Sequence, residues 1–247
     1  MEESIKKYWN ADSPSYDSFV VKGFSIKREC ESWQKLFSEV LGERGSHLLD
    51  TGCGPGIVSM QLADLGYKMT SIDFSEKMIE AAKKNALAYG LAIDIMIADA
   101  ECLPFEDDSF DGIVSDYMLW TVPHPEKVMS EWYRVLKPGQ KVVYVDGDWF
   151  NDPKRTPFRV SLANFACFLD SPKKYKLKSD KKDIKLDYDL WSKTAKRPED
   201  DIKMMGSAGF TDIKVIHNIQ DRVLHGLRHA AYGSTEDHYM VIAKKPN

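Results

Sequence analysis

Three aspartates, Asp50, Asp73 and Asp99, each close a short apolar run in the first hundred residues. Asp50 leads into Thr51-Gly-Cys-Gly-Pro-Gly56, a turn with glycine at 52, 54 and 56. Glycines let a backbone come close to a ligand and expose the N–H groups that open the next helix, so a carboxylate or phosphate can sit there. The dinucleotide fingerprint is G-x-G-x-x-G. Here the spacing is G-x-G-x-G, and Ile57 stands where that fingerprint has its third glycine. An acid just before the turn sits poorly beside a pyrophosphate and well beside an ammonium group. Asp73 stands where an acid accepts hydrogen bonds from both ribose hydroxyls of a nucleoside. Asp99, followed by Ala100-Glu-Cys-Leu-Pro-Phe105, can accept from an adenine amino group while apolar neighbours cover the ring. Any one of these acids also reads as a helix cap. Three in register behind one glycine turn point to a nucleoside.

The surrounding pattern explains how such acids could be brought together. The short apolar run at 47–50 and the stretches 68–73, 92–98, 110–115 and 141–145 read as strands. Between them lie helical stretches after Gly56, over 75–89 and over 125–136, the last with Pro125 at its start. Strands alternating with helices mean right-handed crossovers and a doubly wound, mostly parallel sheet, whose ligands gather beyond the strands' carboxyl ends. Ahead of this core, Ile26, Cys30, Trp33, Phe37 and Val40 recur on one helical face over 24–41. After Asp146 the rhythm breaks: residues 148–197 hold no clean strand and carry thirteen Lys/Arg, which read either as solvated surface or as a basic lid for an anionic substrate or RNA. A helix over 198–208 and strands near 213–219 and 239–243 complete a seven-stranded α/β sheet. The division predicted is an N-terminal helical lid (1–44), a core (45–147), a helical cap insertion (148–197) and the end of the core sheet (198–247).

Composition narrows the class. With 43% hydrophobic and 29% charged residues, the chain buries an ordinary core. A net charge of −4 gives no chain-wide pull toward nucleic acid or an anionic membrane. The first residues, MEESIKKYWN, do not read as a signal peptide, and no apolar run is long enough to span a bilayer, so a cytoplasmic protein is expected. Cys30, Cys53, Cys102 and Cys167 form no C-x-x-C pair and read as reduced thiols in or near the core; no metal site is expected. His225 and His229 stand at i, i+4 spacing without a third ligand motif.

Five motifs now carry a resemblance: Leu49-Asp-Thr-Gly-Cys-Gly-Pro-Gly56, Ser71-Ile-Asp-Phe-Ser75, Ala98-Asp-Ala-Glu-Cys-Leu-Pro-Phe105, Phe110-Asp-Gly-Ile-Val-Ser115 and Arg134-Val-Leu-Lys-Pro-Gly139. In this order they resemble the class I S-adenosylmethionine-dependent methyltransferases, most of all the group with the ubiquinone and menaquinone C-methyltransferases and many small-molecule enzymes. The resemblance covers about residues 45–147. It implies a Rossmann-like methyltransferase fold with its final strand antiparallel, and S-adenosylmethionine as cofactor. Asp50, Thr51, Gly52, Cys53 and Gly54 would then hold the methionine part. Asp73 would hold the ribose, Phe74 and Met78 would cover the adenine, and Asp99 with Ala100 would meet its amino group. Asp116 and Tyr117 would form the wall beside the sulfonium. The stretch Tyr8 to Phe19 resembles the segment that closes over the cofactor, with Tyr8 or Tyr16 near the cation; the same aromatics also suit plain packing of a helix on the core.

Methyl transfer from a sulfonium is an in-line displacement that needs aim and exclusion of water. A base is needed only where the acceptor loses a proton. His124 and Tyr117 are the first candidates, with Asp116, His225, His229 and His238 also titratable. The acceptor is expected to be a small molecule, since Ser115-Asp-Tyr-Met118 lacks the Asn/Asp-Pro-Pro-aromatic motif of base-nitrogen enzymes and no Pro-Cys dipeptide is present. A nucleic-acid or protein methyltransferase using the Lys-rich insertion, and a cofactor-binding protein without transfer, are the alternatives.

Overall fold

A computed structural model describes residues 2–150, 156–170, 190–232 and 237–247. The chain opens with helices α1 (Glu2–Ser25) and α2 (Lys27–Ser38). The alternating core follows: β1 (His47–Thr51), α3 (Ile57–Asp64), β2 (Lys68–Asp73), α4 (Glu76–Ala88), β3 (Ile93–Ile97), β4 (Phe110–Asp116), α5 (Pro125–Val135) and β5 (Leu136–Gly147). Then come α6 (Pro157–Asp170), α7 (Glu199–Ser207), β6 (Thr211–Ile216), the short α8 (Gln220–Val223), α9 (Gly226–Tyr232) and β7 (His238–Lys244). The seven strands run in the order β3-β2-β1-β4-β5-β7-β6. β1 to β5 are mutually parallel, while β7 lies antiparallel between β5 and β6. Among the described residues no helix is long and apolar enough to cross a membrane.

Strand alternation divides the core between the two faces of the sheet. Leu49, Ile113, Val142, Tyr144, Tyr239 and Val241 pack with Trp132 and Phe110 on one face. Their neighbours Leu48, Val114, Val143, Val145, Met240 and Ile242 pack with Phe37 and Leu62 on the other. A strand buried on both faces carries apolar residues at successive positions, as at Leu48-Leu49 and Ile113-Val114. α5 shows the helical counterpart, with Val128, Met129, Trp132 and Val135 turned inward behind Pro125 in its first turn. α4 begins where Ser75 Oγ accepts from Met78 N at 3.2 Å.

Several elements differ from the sequence reading. The amphipathic helix starts at Lys27 instead of residue 24, and a 24-residue helix runs ahead of it with Pro14 inside. Interior proline costs a helix roughly 3 kcal/mol, which its docking on α4 must offset. The strand placed at 213–219 ends at Ile216, because Asn218 turns into the left-handed region (φ 52°) and a helix begins at Gln220. β5 pairs with β4 already at Leu136, then resumes at Lys141, with Pro138 and Gly139 bulged between. Cys102 is exposed in the turn after β3, whereas Cys30 and Cys53 are buried; Cys167 lies among side chains outside the described set. Arg197 belongs to the core and not to a solvated basic face.

Candidate functional site

Beyond the carboxyl ends of β1, β2 and β4 lies a cavity of about 380 Å³. Parallel pairing sets the acids side by side: Asp50 is in register with Ser71 on β2 and Val114 on β4, and Asp73 with Ile97 on β3. The glycine turn passes over them. Gly52 has φ 69°, and a Cβ there would lie 2.3 Å from Met118 Cγ. Gly54 has φ 52° and comes under the Tyr16 ring, 3.7 Å from where a Cβ would stand. The turn is pinned to β2 by Cys53 N donating to the Ile72 carbonyl at 2.9 Å and Gly54 N donating to Asp73 Oδ2 at 3.0 Å.

The acids differ in their partners. Asp50 is fully buried, accepts at Oδ2 from Ser59 Oγ, and its Oδ1 has no hydrogen-bond partner. Burial pushes it up to about 7, partly relieved by Ser59. Asp73 accepts from Gly54 N and from Ser75 N (2.9 Å), yet burial still raises it to about 6. Asp116 is raised well above the usual carboxylate range, first by burial and then by the charges of Asp50 and Asp146, and its Oδ1 is also without a partner. Asp99 lies at the exposed rim, accepting from Glu101 N at 2.8 Å. Among the described residues no lysine or arginine pairs with Asp50, Asp73 or Asp116.

Most residues singled out in the sequence line this cavity: Tyr16, Asp50, Gly52, Cys53, Gly54, Asp73, Phe74, Met78, Asp99, Ala100, Asp116 and Tyr117. Thr51 does not. Its Oγ1 accepts from Trp132 Nε1 at 3.1 Å and its carbonyl from Ser115 Oγ at 2.7 Å, so it braces the strand from behind. His124 is also outside, at the surface before α5, where its N–H donates to Glu101 Oε1. Tyr117 lies in the wall with its hydroxyl accepting from the Gln220 amide, and burial holds its phenol well above its ordinary pKa. Tyr8 does not line the cavity, whereas Trp9 beside it does. His229 bonds Asp221 at 2.6 Å, and among the described residues no group of three His, Cys, Asp or Glu is arranged around a metal position.

α1 closes the cavity from above. Ser13 Oγ donates to the Lys77 carbonyl, Ser75 Oγ to Asn10 Oδ1, and Asn85 Nδ2 bridges Asp17 and the Pro55 carbonyl. Trp9 packs edge-on against Tyr16 and Trp120, and Trp120 meets Trp149, which in turn meets Tyr117. This aromatic wall went unrecognised in the sequence, because its members come from three distant segments; only the Tyr8-Trp9…Tyr16 cluster signalled it. A second buried group fixes the far side. Asp146 accepts from Trp120 N, Trp149 Nε1 and Arg197 Nη2, and Arg197 also pairs with Asp201 at 2.7 Å. Trp191 Nε1 and Ser192 Oγ donate to the carbonyls of Leu119 and Trp120, clamping the end of the insertion to the loop after β4.

The description "Methyltransferase domain" matches residues 49–144. A demethylmenaquinone methyltransferase of Renibacterium salmoninarum is 33% identical over 154 residues, 62% of this chain and 61% of that protein; the chain thus spans about three-fifths of that relative's length. A phosphatidylethanolamine N-methyltransferase of Cereibacter sphaeroides is 33% identical over 139 residues, covering 56% of this chain and 68% of that protein. Among solved structures, phosphoethanolamine N-methyltransferase 2 of Haemonchus contortus, in complex with S-adenosylhomocysteine, superposes with a TM-score of 0.61 at 18% identity. That match covers 88% of this chain and 53% of the other, a likeness of fold.

Proposed function

This chain belongs to the class I S-adenosylmethionine-dependent methyltransferases, and we propose that it transfers the cofactor's methyl group to a small-molecule acceptor. The observation that carries this reading is the set of carboxylates facing one cavity, Asp50 and Asp73 buried and Asp116 half-buried, none of them paired with a cation of the described residues; Lys6, which also lines the cavity, is paired with Glu76. Buried charges need partners, and S-adenosylmethionine carries an ammonium and a sulfonium. The residues present fit it: Asp50 Oδ1 is an unsatisfied acceptor, and Gly52 lies so close to the Met118 side chain that only a glycine lets the turn pass beside it.

When bound, S-adenosylmethionine supplies an electrophilic methyl group and a neutral thioether leaving group. The chain's own residues do the positioning. Asp73 accepts from the ribose hydroxyls through the lone pairs left by Gly54 N and Ser75 N, and Asp99 accepts from the adenine amino group at the rim. Phe74 and Met78 cover the ring. Asp50 with the turn at Gly52–Gly54 holds the ammonium end. Tyr16 and Tyr117 present aromatic surface to the cation. Asp116 stands beside them as the group that receives a proton where the acceptor loses one, since a raised pKa makes a carboxylate a better base near neutral pH. His124, outside the cavity, and Tyr117, held protonated, do not serve. Of the cap predicted over 148–197, residues 151–155 and 171–189 lie outside the described residues; its end borders the acceptor side, supported by the clamp of Trp191 and Ser192 on the loop after β4.

The acceptors in the relatives' names, a demethylmenaquinone and phosphatidylethanolamine, are lipids, which supports an apolar acceptor entering beside Trp9. The test is thermal unfolding with S-adenosylmethionine, S-adenosylhomocysteine, NAD and ATP, followed by transfer of labelled methyl to each of these lipids. The two sulfur nucleosides raise the Tm and the others do not. Absence of calorimetric binding by either nucleoside at millimolar concentration refutes the reading.

A further inference from the structure

α6 is amphipathic in the wrong direction for a helix of a free-standing monomer. Its small residues Ala163 and Ala166 are buried, while Phe158, Leu162, Phe165 and Leu169 are exposed, Phe158 to 77% and Phe165 to 60%. These four recur at i, i+4, i+7 and i+11, so they form one stripe along the helix, with exposed Phe168 beside it. Soluble monomers rarely leave so large a contiguous apolar surface to water. Nothing in the helix is acidic before Asp170, and Arg159 is exposed near its start.

The sequence on either side of the helix is as one-sided in charge as the helix is in apolar surface. The segment 148–197 carries thirteen Lys/Arg against seven Asp, a net +6, of which buried Arg197 is one cation, while the whole chain is −4. The rest of the molecule is therefore −10. A chain-wide average that predicts indifference to anionic surfaces hides a dipole: one segment is drawn to such a surface while the remainder is repelled by it. The loop whose Met118 and Thr121 line the cavity also carries Trp120, which packs against Trp149 and Phe150, seven residues before α6 begins.

We infer that the outward face of α6 is a docking surface for a lipid bilayer with anionic headgroups, into which Phe158, Leu162, Phe165 and Leu169 insert. An apolar stripe with Arg159 in its first turn and Lys/Arg on both sides in the sequence is the pattern of a helix lying in a membrane interface. A second copy of the chain fits less well, because a two-fold interface would bring two +6 segments together. A nucleic acid would engage the lysines but leave the phenylalanines without a partner.

The test is co-sedimentation of the full chain with vesicles of phosphatidylcholine alone and of phosphatidylcholine with phosphatidylglycerol, read without turnover and so independent of the methyl-transfer proposal. The chain binds the anionic vesicles, more weakly as salt rises. Phe158→Ser with Phe165→Ser weakens binding about tenfold or more, and Arg159→Glu weakens it by a smaller factor. Both variants keep the wild-type Tm, since the substituted side chains are exposed. Three results overturn the inference: no binding to either vesicle, equal binding by the double variant, or a dimer in solution that the double variant dissociates. Loss of nucleoside binding with vesicle binding intact counts against the cofactor assignment alone.

Discussion

Two groups of buried or half-buried aspartates flank the carboxyl ends of the sheet, and they are built oppositely. Asp146 and Asp201 share Arg197, and Asp201 also accepts from the hydroxyls of Tyr144 and Tyr239, at 3.1 and 2.9 Å. Asp50 and Asp116, a strand or two away, each keep an oxygen with no partner, and no cation of the described residues reaches them. Burial alone does not make a site. The first group is complete and acts as a joint, tying the end of the insertion to β5 and to the loop that carries Trp120. The second is electrostatically incomplete, which is the condition a binding site must satisfy before its cationic ligand arrives.

Arg197→Met gives the largest effect expected from this contrast. It strands two buried carboxylates and lowers stability by about 3–5 kcal/mol, read by urea unfolding. Adding Asp146→Asn and Asp201→Asn restores much of the loss, and a single-variant cost near zero removes the distinction between the groups. Next is Asp73→Ala, with S-adenosylhomocysteine affinity falling by about 2–4 kcal/mol, roughly 30- to 700-fold, as charge-assisted bonds to the ribose disappear. The same change leaves Gly54 N and Ser75 N without their acceptor, so about 1–3 kcal/mol of stability goes as well. Equal affinity of wild type and variant reduces Asp73 to a brace for the turn.

A smaller effect separates the groups by pH. Asp50 and Asp73 rise from 3.8 to about 7 and about 6 in the folded chain, so the folded state holds protons that the unfolded state has released. Their stabilising contribution is full below about pH 4 and is lost as pH climbs through 6 to 7. The ligand-free Tm therefore falls across that window, Asp50→Asn flattens the fall, and the Tm gain from S-adenosylhomocysteine grows as Asp50 ionises. A Tm that rises steadily from pH 4 to 7 contradicts this. Smallest of all is Asp94→Ala, on the exposed edge strand β3, which shifts affinity and stability by no more than about 0.5 kcal/mol.

The parallel half of the sheet was readable because its signals are local. A strand buried on both faces announces itself by short apolar pairs with small residues between them, such as Leu48-Leu49 and Ile113-Val114, and Asp50, Asp73 and Asp116 stand at or next to the ends of such strands. What escaped notice depends on partners far along the chain. Arg197 sits in a Lys-rich stretch and reads as surface, yet its counter-ion is Asp146, fifty-one positions earlier. No local signal foretells an unbroken helix across Pro14; contacts from Asn10, Ser13 and Asp17 to α4 and its flanks hold it. Thr51 shares the glycine motif and reads as part of the turn; only the position of Trp132 on α5 shows which way it faces.

The position of β7 has a consequence for the order in which the molecule can be assembled. β5 pairs on one side with β4, close in sequence, but among the described residues its other edge pairs with His238–Lys244 alone. During synthesis the β1–β5 half can form early from neighbouring contacts, whereas the outer edge of β5 waits for almost a hundred further residues. That edge includes Val142, Val143 and Val145, a run suited to pairing with any exposed strand. Interruption of synthesis before β7 is made leaves this strand open, so the nascent chain passes through a stage at which association with another copy competes with its own completion.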